Sequence, residues 1–535
     1  MKRQRIVILI VSLSVLAAAA AAVRVPPLFI ASDRCQACHN GLVTPRGEDV
    51  SIGADWRASM MANAARDPYW QASVRRETLA NPKIAAAIEH ECSACHMPMA
   101  RTQAKAGGTM GRIFAHLPAI PEAGPEAALA LDGVSCTMCH QIGPDKLGSR
   151  ESFTAGFVVD TSTPWGSRKI FGPYEVDAGR TRVMKSSSWF VPEKGDHIHG
   201  SELCATCHTL FTHAYNEQGE VVGELPEQVP YLEWKHSAYN GKQECASCHM
   251  PKVEEKMPIS STLGQPREGL ARHVFRGGNF FMPKILNLHR DALGVAAEPL
   301  ELATASVRTA DHLQTSSARV AVRGARVEDG TLHAEVAITN LAGHKLPTAY
   351  PSRRAWIHFS VRDASGAVVF ESGRPNPDGS IAGNANDEDP SRFEPHYAEI
   401  RRADEVQIYE PILGAPGDEV TTVLLAATHY LKDNRVLPLG FDKASAPDDV
   451  AVRGGAADDD DFKAGGDKVR YIVPVGAASG PFTVRAELWY QPISFRWARN
   501  VDDRPSAEAA RFRGYFESMS SSSGIVLAKA EAKTE

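Results

Sequence analysis

The sequence predicts an α + β multidomain protein, in which a mostly helical or irregular domain is followed by a β-sandwich-like domain. Two observations support this division. All ten cysteines of the 535-residue chain fall between residues 35 and 249, in five Cys-x-x-Cys-His repeats. Beyond about residue 300 the sequence changes to alternating, β-rich runs with turns between them. Because 535 residues exceed what one core supports, we expect domains over residues 24–300 and 301–535.

The first 23 residues have the pattern of a targeting segment. Lys2, Arg3 and Arg5 precede an apolar run, residues 6–23, that ends in small side chains. This pattern predicts a signal peptide cleaved near Ala22. Because 18 apolar residues reach the lower limit for crossing a bilayer, an uncleaved N-terminal membrane anchor is the alternative. In both cases we expect export to the bacterial periplasm, as a soluble protein or anchored to the inner membrane.

The five repeats predict covalently attached haem. Two thiols at positions i and i+3 reach the two vinyl groups of one haem, and the histidine that follows binds the iron. The repeats use every cysteine of the chain, so we predict five covalently bound haem c groups. The attachment residues are Cys35, Cys38, Cys92, Cys95, Cys136, Cys139, Cys204, Cys207, Cys245 and Cys248, and the proximal ligands are His39, His96, His140, His208 and His249.

Two other uses of paired cysteines fit less well. Zinc ribbons contain Cys-x-x-Cys pairs, but zinc binding does not require a histidine directly after every pair. A disulfide framework suits an exported protein, yet a bridge within Cys-x-x-Cys closes a very short loop and stabilises little. Haem attachment is therefore the favoured explanation.

The spacing of the repeats predicts how the haems are arranged. Their first cysteines are separated by 57, 44, 68 and 41 residues. About fifty residues for each large apolar macrocycle is too little polypeptide for a conventional core of side chains. We therefore expect residues 24–300 to form a pentahaem cytochrome c domain in which the porphyrins make up the interior, in close contact and in a row.

The second domain has no cysteine and therefore no predicted haem of its own. Short strands without long helices predict a β-sandwich. One amphipathic helix is expected at residues 507–519, before the polar residues 520–523. The predicted strands are residues 318–322, 332–339 after an Asp329-Gly330 turn, 355–361, 407–409, 420–426, 469–475 and 482–490.

Several stretches of the first domain resemble the multihaem cytochrome c superfamily, which includes the tetrahaem cytochromes of ammonia oxidation and the haem cores of hydroxylamine oxidoreductase and pentahaem nitrite reductase. The resemblance spans roughly residues 33–282 and implies electron transfer through bis-histidine haems, or a haem wire with one open catalytic haem. The second domain resembles the C-terminal module that follows similar haem domains, around residues 340–348. The similar stretches are residues 56–68, 132–140, 201–208, 233–234 and 248–251.

The resemblance also suggests two distal ligands. Such cytochromes often contain Trp-x-x-Ser-x-His, in which the last histidine binds an iron. The two similar segments here begin at Trp56 and Trp234, and they carry Met61 and Tyr239 in that place. Met61 could bind through its thioether, giving a haem of higher potential. In the second segment His236 lies a turn earlier and could take over the role.

Three further distal ligands are predicted from position. Beyond the proximal ligands, the first domain contains eight histidines: His90, His116, His197, His199, His213, His236, His273 and His289. His197 precedes the fourth repeat by seven residues and His116 precedes the third, so each could reach a neighbouring haem. His273 precedes a Gly-Gly pair that would let the backbone pass close to a porphyrin. With Met61 and His236, these would coordinate all five irons; for each, a packing or surface role is the alternative.

His344 in the second domain lies in a loop that Pro347 would hold rigid. It could cap a haem across the domain interface, although a packing or hydrogen-bonding histidine is the more common case.

The favoured function is electron transfer by an exported pentahaem cytochrome. A reductase or oxidoreductase of a small nitrogen or sulfur compound, with one open haem, is the first alternative. All five repeats end in histidine, whereas the active haem of pentahaem nitrite reductase is bound by Cys-x-x-Cys-Lys, so nitrite reduction is disfavoured. Hydroxylamine oxidoreductases carry more haems. A structural cytochrome of an envelope or filament complex is the second alternative.

The charge of the chain indicates which partners to expect. Basic and acidic residues number 58 and 64, so the net charge is only −6 and nothing suggests nucleic acid. We expect redox protein partners, namely donor and acceptor cytochromes or a membrane quinol oxidase, which dock weakly and transiently.

Overall fold

The computed structural model describes residues 26–119 and 124–534. The predicted signal peptide or anchor, residues 1–23, lies outside the described residues. Within the described ranges, no helix is both long and apolar enough to cross a membrane. The chain combines helices with several separate sheets, so the α + β class predicted from the sequence is confirmed.

The first part of the chain consists of short helices and two small sheets. Several of these helices have only four to seven residues, and isolated helices shorter than about 12 residues are marginal in water. Tertiary contacts must therefore hold them. The helices are α1 (Asp33–Gln36), α2 (Ile52–Arg57), α3 (Pro68–Ala80), α4 (Ala85–His96), α5 (Pro98–Ala106), α6 (Pro125–Leu131), α7 (Cys136–Cys139), α8 (Ala178–Ser188), α9 (Ser201–His208), α10 (Pro230–Lys235), α11 (Cys245–His249), α12 (Met282–Leu288), α13 (Arg290–Leu293) and α14 (Pro299–Ser316). The strands are the parallel pair β1 (Lys169–Gly172) and β2 (Val191–Lys194), and the antiparallel pair β3 (Leu210–Tyr215) and β4 (Val221–Gln228).

Every Cys-x-x-Cys-His repeat lies on a helix or at its end. The first repeat begins in α1, the second and fourth form the ends of α4 and α9, and the third and fifth overlap α7 and α11. Residues at i and i+3 are neighbours on a helix surface, so one helical turn presents both thiols of a repeat on the same side.

The second part of the chain is dominated by strands. The strands are β5 (Ala318–Glu328), β6 (Thr331–Asn340), β7 (Arg354–Arg362), β8 (Val368–Ser372), β9 (Glu399–Ile400), β10 (Ile408–Tyr409), β11 (Pro411–Ala415), β12 (Glu419–Thr421), β13 (His429–Asp433), β14 (Gly466–Pro474), β15 (Thr483–Gln491) and β16 (Ile525–Lys533), and the helices are α15 (Ala385–Glu388), α16 (Phe495–Arg499) and α17 (Ala507–Met519). A five-stranded sheet has the order β10-β7-β15-β16 with β8 also on β7, a four-stranded sheet has the order β5-β6-β14-β9, and a three-stranded sheet has the order β12-β11-β13.

The strand predictions are confirmed in most places. The run 420–426 is the exception, because it forms only the short β12 and then a 3₁₀ turn, Leu424–Ala426. The predicted turn between β5 and β6 is present, with positive φ at both Asp329 (47°) and Gly330 (73°), as a type I′ hairpin requires. The helix predicted at residues 507–519 is α17. The last strand, β16, is not among the predicted ones.

The two larger sheets meet through their apolar faces. Alternate residues of β6, such as Val336 and Ile338, are buried, as are Val469 and Tyr471 of β14. The Tyr471 ring stacks on Phe359 of β7, with 3.7 Å between ring centres, so side chains of the two sheets interdigitate. Both rings belong to the main buried apolar cluster of the protein.

The predicted domain boundary near residue 300 falls at the start of α14. The main buried apolar cluster contains residues from both sides of it, including Phe281 and Val336. Helix α17 packs against α3, where the Phe512 and Tyr69 rings lie 4.8 Å apart. The division into two domains stays a prediction, but the two parts share one continuous core.

Candidate cofactor-binding site

The five repeats contact one another in one cluster. Three pairs of cysteines from different repeats lie close enough for their thiols to interact. In each pair this interaction lowers the pKa of the first thiol and raises the pKa of the second. These contacts join repeats 1 and 3, 4 and 2, and 5 and 4. The pairs are Cys35 with Cys136, Cys207 with Cys95, and Cys245 with Cys204.

The third repeat also lies near the fourth. Burial, and then the neighbouring Cys207, raise the pKa of Cys139 to about 12. All five repeats therefore lie in one cluster, with the fourth repeat near the second, third and fifth. The ten thiols are free in this structure, and haem attachment would convert them to thioethers.

Four of the five predicted proximal histidines are fixed through Nδ1. In each, Nδ1 donates a hydrogen bond to a backbone carbonyl, which sets the tautomer and leaves Nε2 for a metal. Burial lowers the pKa of His96 and of His249 to about 4, which favours the neutral imidazole that metals bind. The bonds are His39 to Ile259 O (2.5 Å), His96 to Ala64 O (3.0 Å), His140 to Phe171 O (2.6 Å) and His249 to Arg276 O (2.5 Å).

Two histidine pairs have the separation that a shared iron requires. Imidazole nitrogens bind first-row metals at about 2.0–2.1 Å and lie about 1.1 Å from the ring centre, so two axial rings are about 6.3 Å apart. The ring centres of His140 and His273 are 6.4 Å apart, at an interplanar angle of 20°. Those of His249 and His344 are 6.3 Å apart, at 17°. The residues present therefore fit haems bound by two histidines at the third and fifth repeats.

Two predicted distal ligands, Met61 and His197, lie beside the third repeat. The Met61 carbonyl accepts a hydrogen bond from the Val134 amide (2.9 Å), just before that repeat. His197 donates from Nε2 to the Ile142 carbonyl at 2.9 Å, just after it. Because this bond occupies Nε2, the structure does not present that nitrogen of His197 to an iron. Both assignments stay predictions.

Within the part of the chain that the structure describes, neither His116 nor His236 lies opposite a proximal histidine as His273 and His344 do. His116 ends the 3₁₀ turn Phe114–His116, and burial lowers its pKa. His236 follows α10 and donates from Nδ1 to Leu232 O at 2.8 Å, which leaves Nε2 for a metal. Their roles also stay predictions, whereas His273 is brought opposite His140.

A second histidine also approaches the fifth repeat. The His312 ring centre lies 6.1 Å from that of His249, but the rings are inclined by 73°. His312 belongs to α14 and is missing from the predicted ligands. No sequence signal distinguishes it from other helical histidines, whereas His344 is marked by its Gly-His-Lys-Leu-Pro loop.

A buried cluster of four charges lies next to His344. Lys345 Nζ donates to Asp433 Oδ2 at 2.6 Å, and Arg435 donates to both Asp433 oxygens at 2.8 and 2.7 Å. Arg435 Nη1 also lies 2.9 Å from Glu233 Oε1 in α10. Although burial raises the pKa of Asp433, Arg435 and Lys345 outweigh it and lower that pKa overall. The cluster is electrically balanced and joins both parts of the chain.

Comparison with known proteins identifies a related fold. Neither a protein-family model nor a curated protein sequence matches the chain. A solved structure, the penta-heme cytochrome c552 from Thermochromatium tepidum, is similar over 95% of this chain and 100% of that chain, with a TM-score of 0.51 and 16% sequence identity. At this identity the similarity establishes the fold, which is that of a penta-heme cytochrome.

Proposed function

We propose that the chain is an exported pentahaem c-type cytochrome that carries electrons along closely packed haems between redox partners in the bacterial envelope. The observation that carries this proposal is the grouping of all five Cys-x-x-Cys-His repeats in one cluster. The ten cysteines would hold five haem c groups as thioethers, and the following histidines would be proximal ligands. The fold shared with a penta-heme cytochrome supports the proposal.

The chain's own residues orient the predicted iron ligands. When bound, haem supplies a centre that takes up and releases one electron. Backbone carbonyls hold the Nδ1 protons of His39, His96, His140 and His249, so Nε2 of each is kept for the metal. Because the fourth repeat lies near three others, we expect the electron routes to branch there, with ends at the first, second and fifth haems.

The location and partners follow from the sequence. Residues 1–23 favour export, and covalent haem attachment in bacteria takes place outside the cytoplasmic membrane. Donor and acceptor cytochromes or a membrane quinol oxidase would dock at haem edges, through small interfaces that suit rapid exchange. The resemblance to the tetrahaem cytochromes of ammonia oxidation supports the same role.

One observation favours a second function, the reduction of a small nitrogen or sulfur compound at an open haem. The pKa of His208, the predicted proximal ligand of the fourth repeat, is lowered mainly by burial. The positive charge of the Arg353 guanidinium lowers it further. A fixed positive charge near a haem with no sixth protein ligand would attract an anionic substrate. The fourth haem is therefore the position at which an open iron should be sought.

Intact mass spectrometry of protein matured in cells with an active haem-attachment system tests the proposal. We expect the polypeptide plus five haems, and one haem fewer in a Cys245→Ala/Cys248→Ala control. A mass without haem would refute the proposal. Low-temperature EPR of the oxidised protein then separates the two functions: five low-spin irons support an electron carrier, and a high-spin iron that binds cyanide supports a reductase.

A further inference from the structure

We propose that His344, from the second part of the chain, is the sixth ligand of the iron bound by His249, so that both parts of the chain hold the fifth haem. This inference rests on the proposed function, since it requires haem at the fifth repeat. It assigns the second part, which has no cysteine, a direct role in the haem chain.

The geometry of the two rings supports the assignment. Their centres are 6.3 Å apart, well beyond face-to-face contact such as the 3.5 Å between His289 and Tyr515. The separation instead equals the distance of about 6.3 Å expected across a shared metal. The His140–His273 pair at the third repeat has nearly the same separation and angle, 6.4 Å and 20°. The histidine pairs at the third and fifth repeats thus have nearly the same ring separation and interplanar angle.

Hydrogen bonding at the other ring nitrogen gives His344 the tautomer of a ligand. Its Nδ1 donates to the Lys345 carbonyl at 2.9 Å, which leaves Nε2 for the metal. His249 is held in the same way by the Arg276 carbonyl at 2.5 Å. Metal-ligating histidines almost always donate their second N–H to such a partner, which fixes the ring orientation.

His312 is the competing ligand, and it lacks this support. Its ring centre is 6.1 Å from His249, but its Nδ1 is buried without a hydrogen-bond partner among the described residues. The ring is inclined by 73° to His249, unlike the two nearly parallel pairs. We therefore assign the sixth position to His344 and leave His312 as a neighbouring histidine outside the ligand set.

The loop that carries His344 is attached to the first part of the chain near the fifth repeat. The Tyr239 hydroxyl donates to the Leu341 carbonyl at 2.9 Å, and the Lys345 amide donates to Glu233 Oε2 at 3.1 Å. A Cβ on Gly343 would lie 3.3 Å from Trp234 Cδ1, so the loop backbone lies directly against that indole.

The same indole connects the loop to the fifth repeat. Trp234 Nε1 donates to the Gln243 carbonyl at 2.9 Å, two residues before Cys245. The Asn340 side chain also donates to the His344 carbonyl at 2.9 Å. The position of His344 is thus set relative to the fifth repeat by contacts on both sides of the loop.

The test compares His344→Ala, His344→Met and His312→Ala in the full-length, haem-loaded protein. Intact mass must show five haems in each, which separates failure of the proposed function from failure of this inference. Low-temperature EPR and near-infrared absorption of the oxidised proteins then report the axial ligands. We expect His344→Ala to lose one bis-histidine signal and to regain a low-spin signal when imidazole is added. His344→Met should show a new methionine-to-iron band, and His312→Ala should match the wild type.

Three results would overturn the assignment. If His312→Ala loses the bis-histidine signal while His344→Ala keeps it, His312 is the ligand. If neither single variant changes the spectrum but the double variant His344→Ala/His312→Ala does, either histidine can bind the iron. His344 is then not the specific sixth ligand. If even the double variant is unchanged, the sixth ligand lies elsewhere. Should His344→Ala fail to fold, His344→Met keeps the side-chain volume and decides the question by the presence or absence of its band.

Discussion

Replacing Lys345 by methionine should strongly destabilise the protein. Lys345 and Asp433 are both almost completely buried, with side-chain exposures of 0% and 2%, and their charged atoms are 2.6 Å apart. Without Lys345, Asp433 and Glu233 share the single guanidinium of Arg435, and one negative charge is left uncompensated in the interior. Removing one partner of a buried ion pair costs about 3–5 kcal/mol, so we expect a loss of that size.

Urea unfolding of the haem-loaded protein, followed by circular dichroism and Soret absorbance, measures the effect. Arg326→Met is the matched control, since its partner Glu328 lies at a similar distance, 2.6 Å, but both side chains are more than half exposed (56% and 58%). An exposed pair contributes about 0–1 kcal/mol. Adding Asp433→Asn to Lys345→Met should recover part of the loss, because it removes the uncompensated charge. A loss below about 1 kcal/mol for Lys345→Met would refute the reasoning.

The remaining predictions concern two buried side chains and one helix cap. Burial raises the pKa of Glu77 from 4.5 to about 7, so its proton stabilises the folded state at low pH and that contribution is lost as pH rises towards 7. In the wild type we expect the free energy of unfolding to decline by about 3 kcal/mol between pH 4.5 and 7.5, and Glu77→Gln should remove this decline. Urea unfolding at each pH measures the effect, and an unchanged pH profile in the variant would contradict the raised pKa of Glu77. Phe512→Ala should cost about 3–5 kcal/mol by the same assay, since this fully buried ring packs 4.8 Å from Tyr69, and Phe512→Leu should cost less. Ser506 caps α17 by accepting from the Ala509 amide at 3.1 Å, so Ser506→Ala should cost about 1 kcal/mol and Ser506→Asn almost nothing, in thermal unfolding.

Local patterns predicted much of the fold. The Asp329-Gly330 turn and helix α17 occur where expected, because turn type and amphipathic periodicity depend on neighbouring residues. Strand β16 was not predicted, because its Ala-Lys-Ala-Glu-Ala-Lys stretch favours a helix by intrinsic propensity. It is a strand because it pairs with β15 along its length.

The candidate site, too, was predicted from the sequence only in part. The pairing of His273 with a haem was expected from its position, but only the structure brings it opposite His140. His197 was predicted as a ligand from spacing, yet its Nε2 is bonded to the Ile142 carbonyl. The spacing between residues in the sequence indicates which haem a histidine could reach. It does not indicate which hydrogen-bond acceptor will lie next to that histidine in the folded protein.

The sequence by itself determined where each pair of thiols and its following histidine stand, because that geometry is contained within one helical turn. It also determined that the chain changes from helices to strands near residue 300, since hydrophobic periodicity is a local property. Only the tertiary structure decided which repeats touch, and that His249 faces His344 from the other part of the chain. Those contacts join residues far apart in sequence, and they depend on the packing of the whole core.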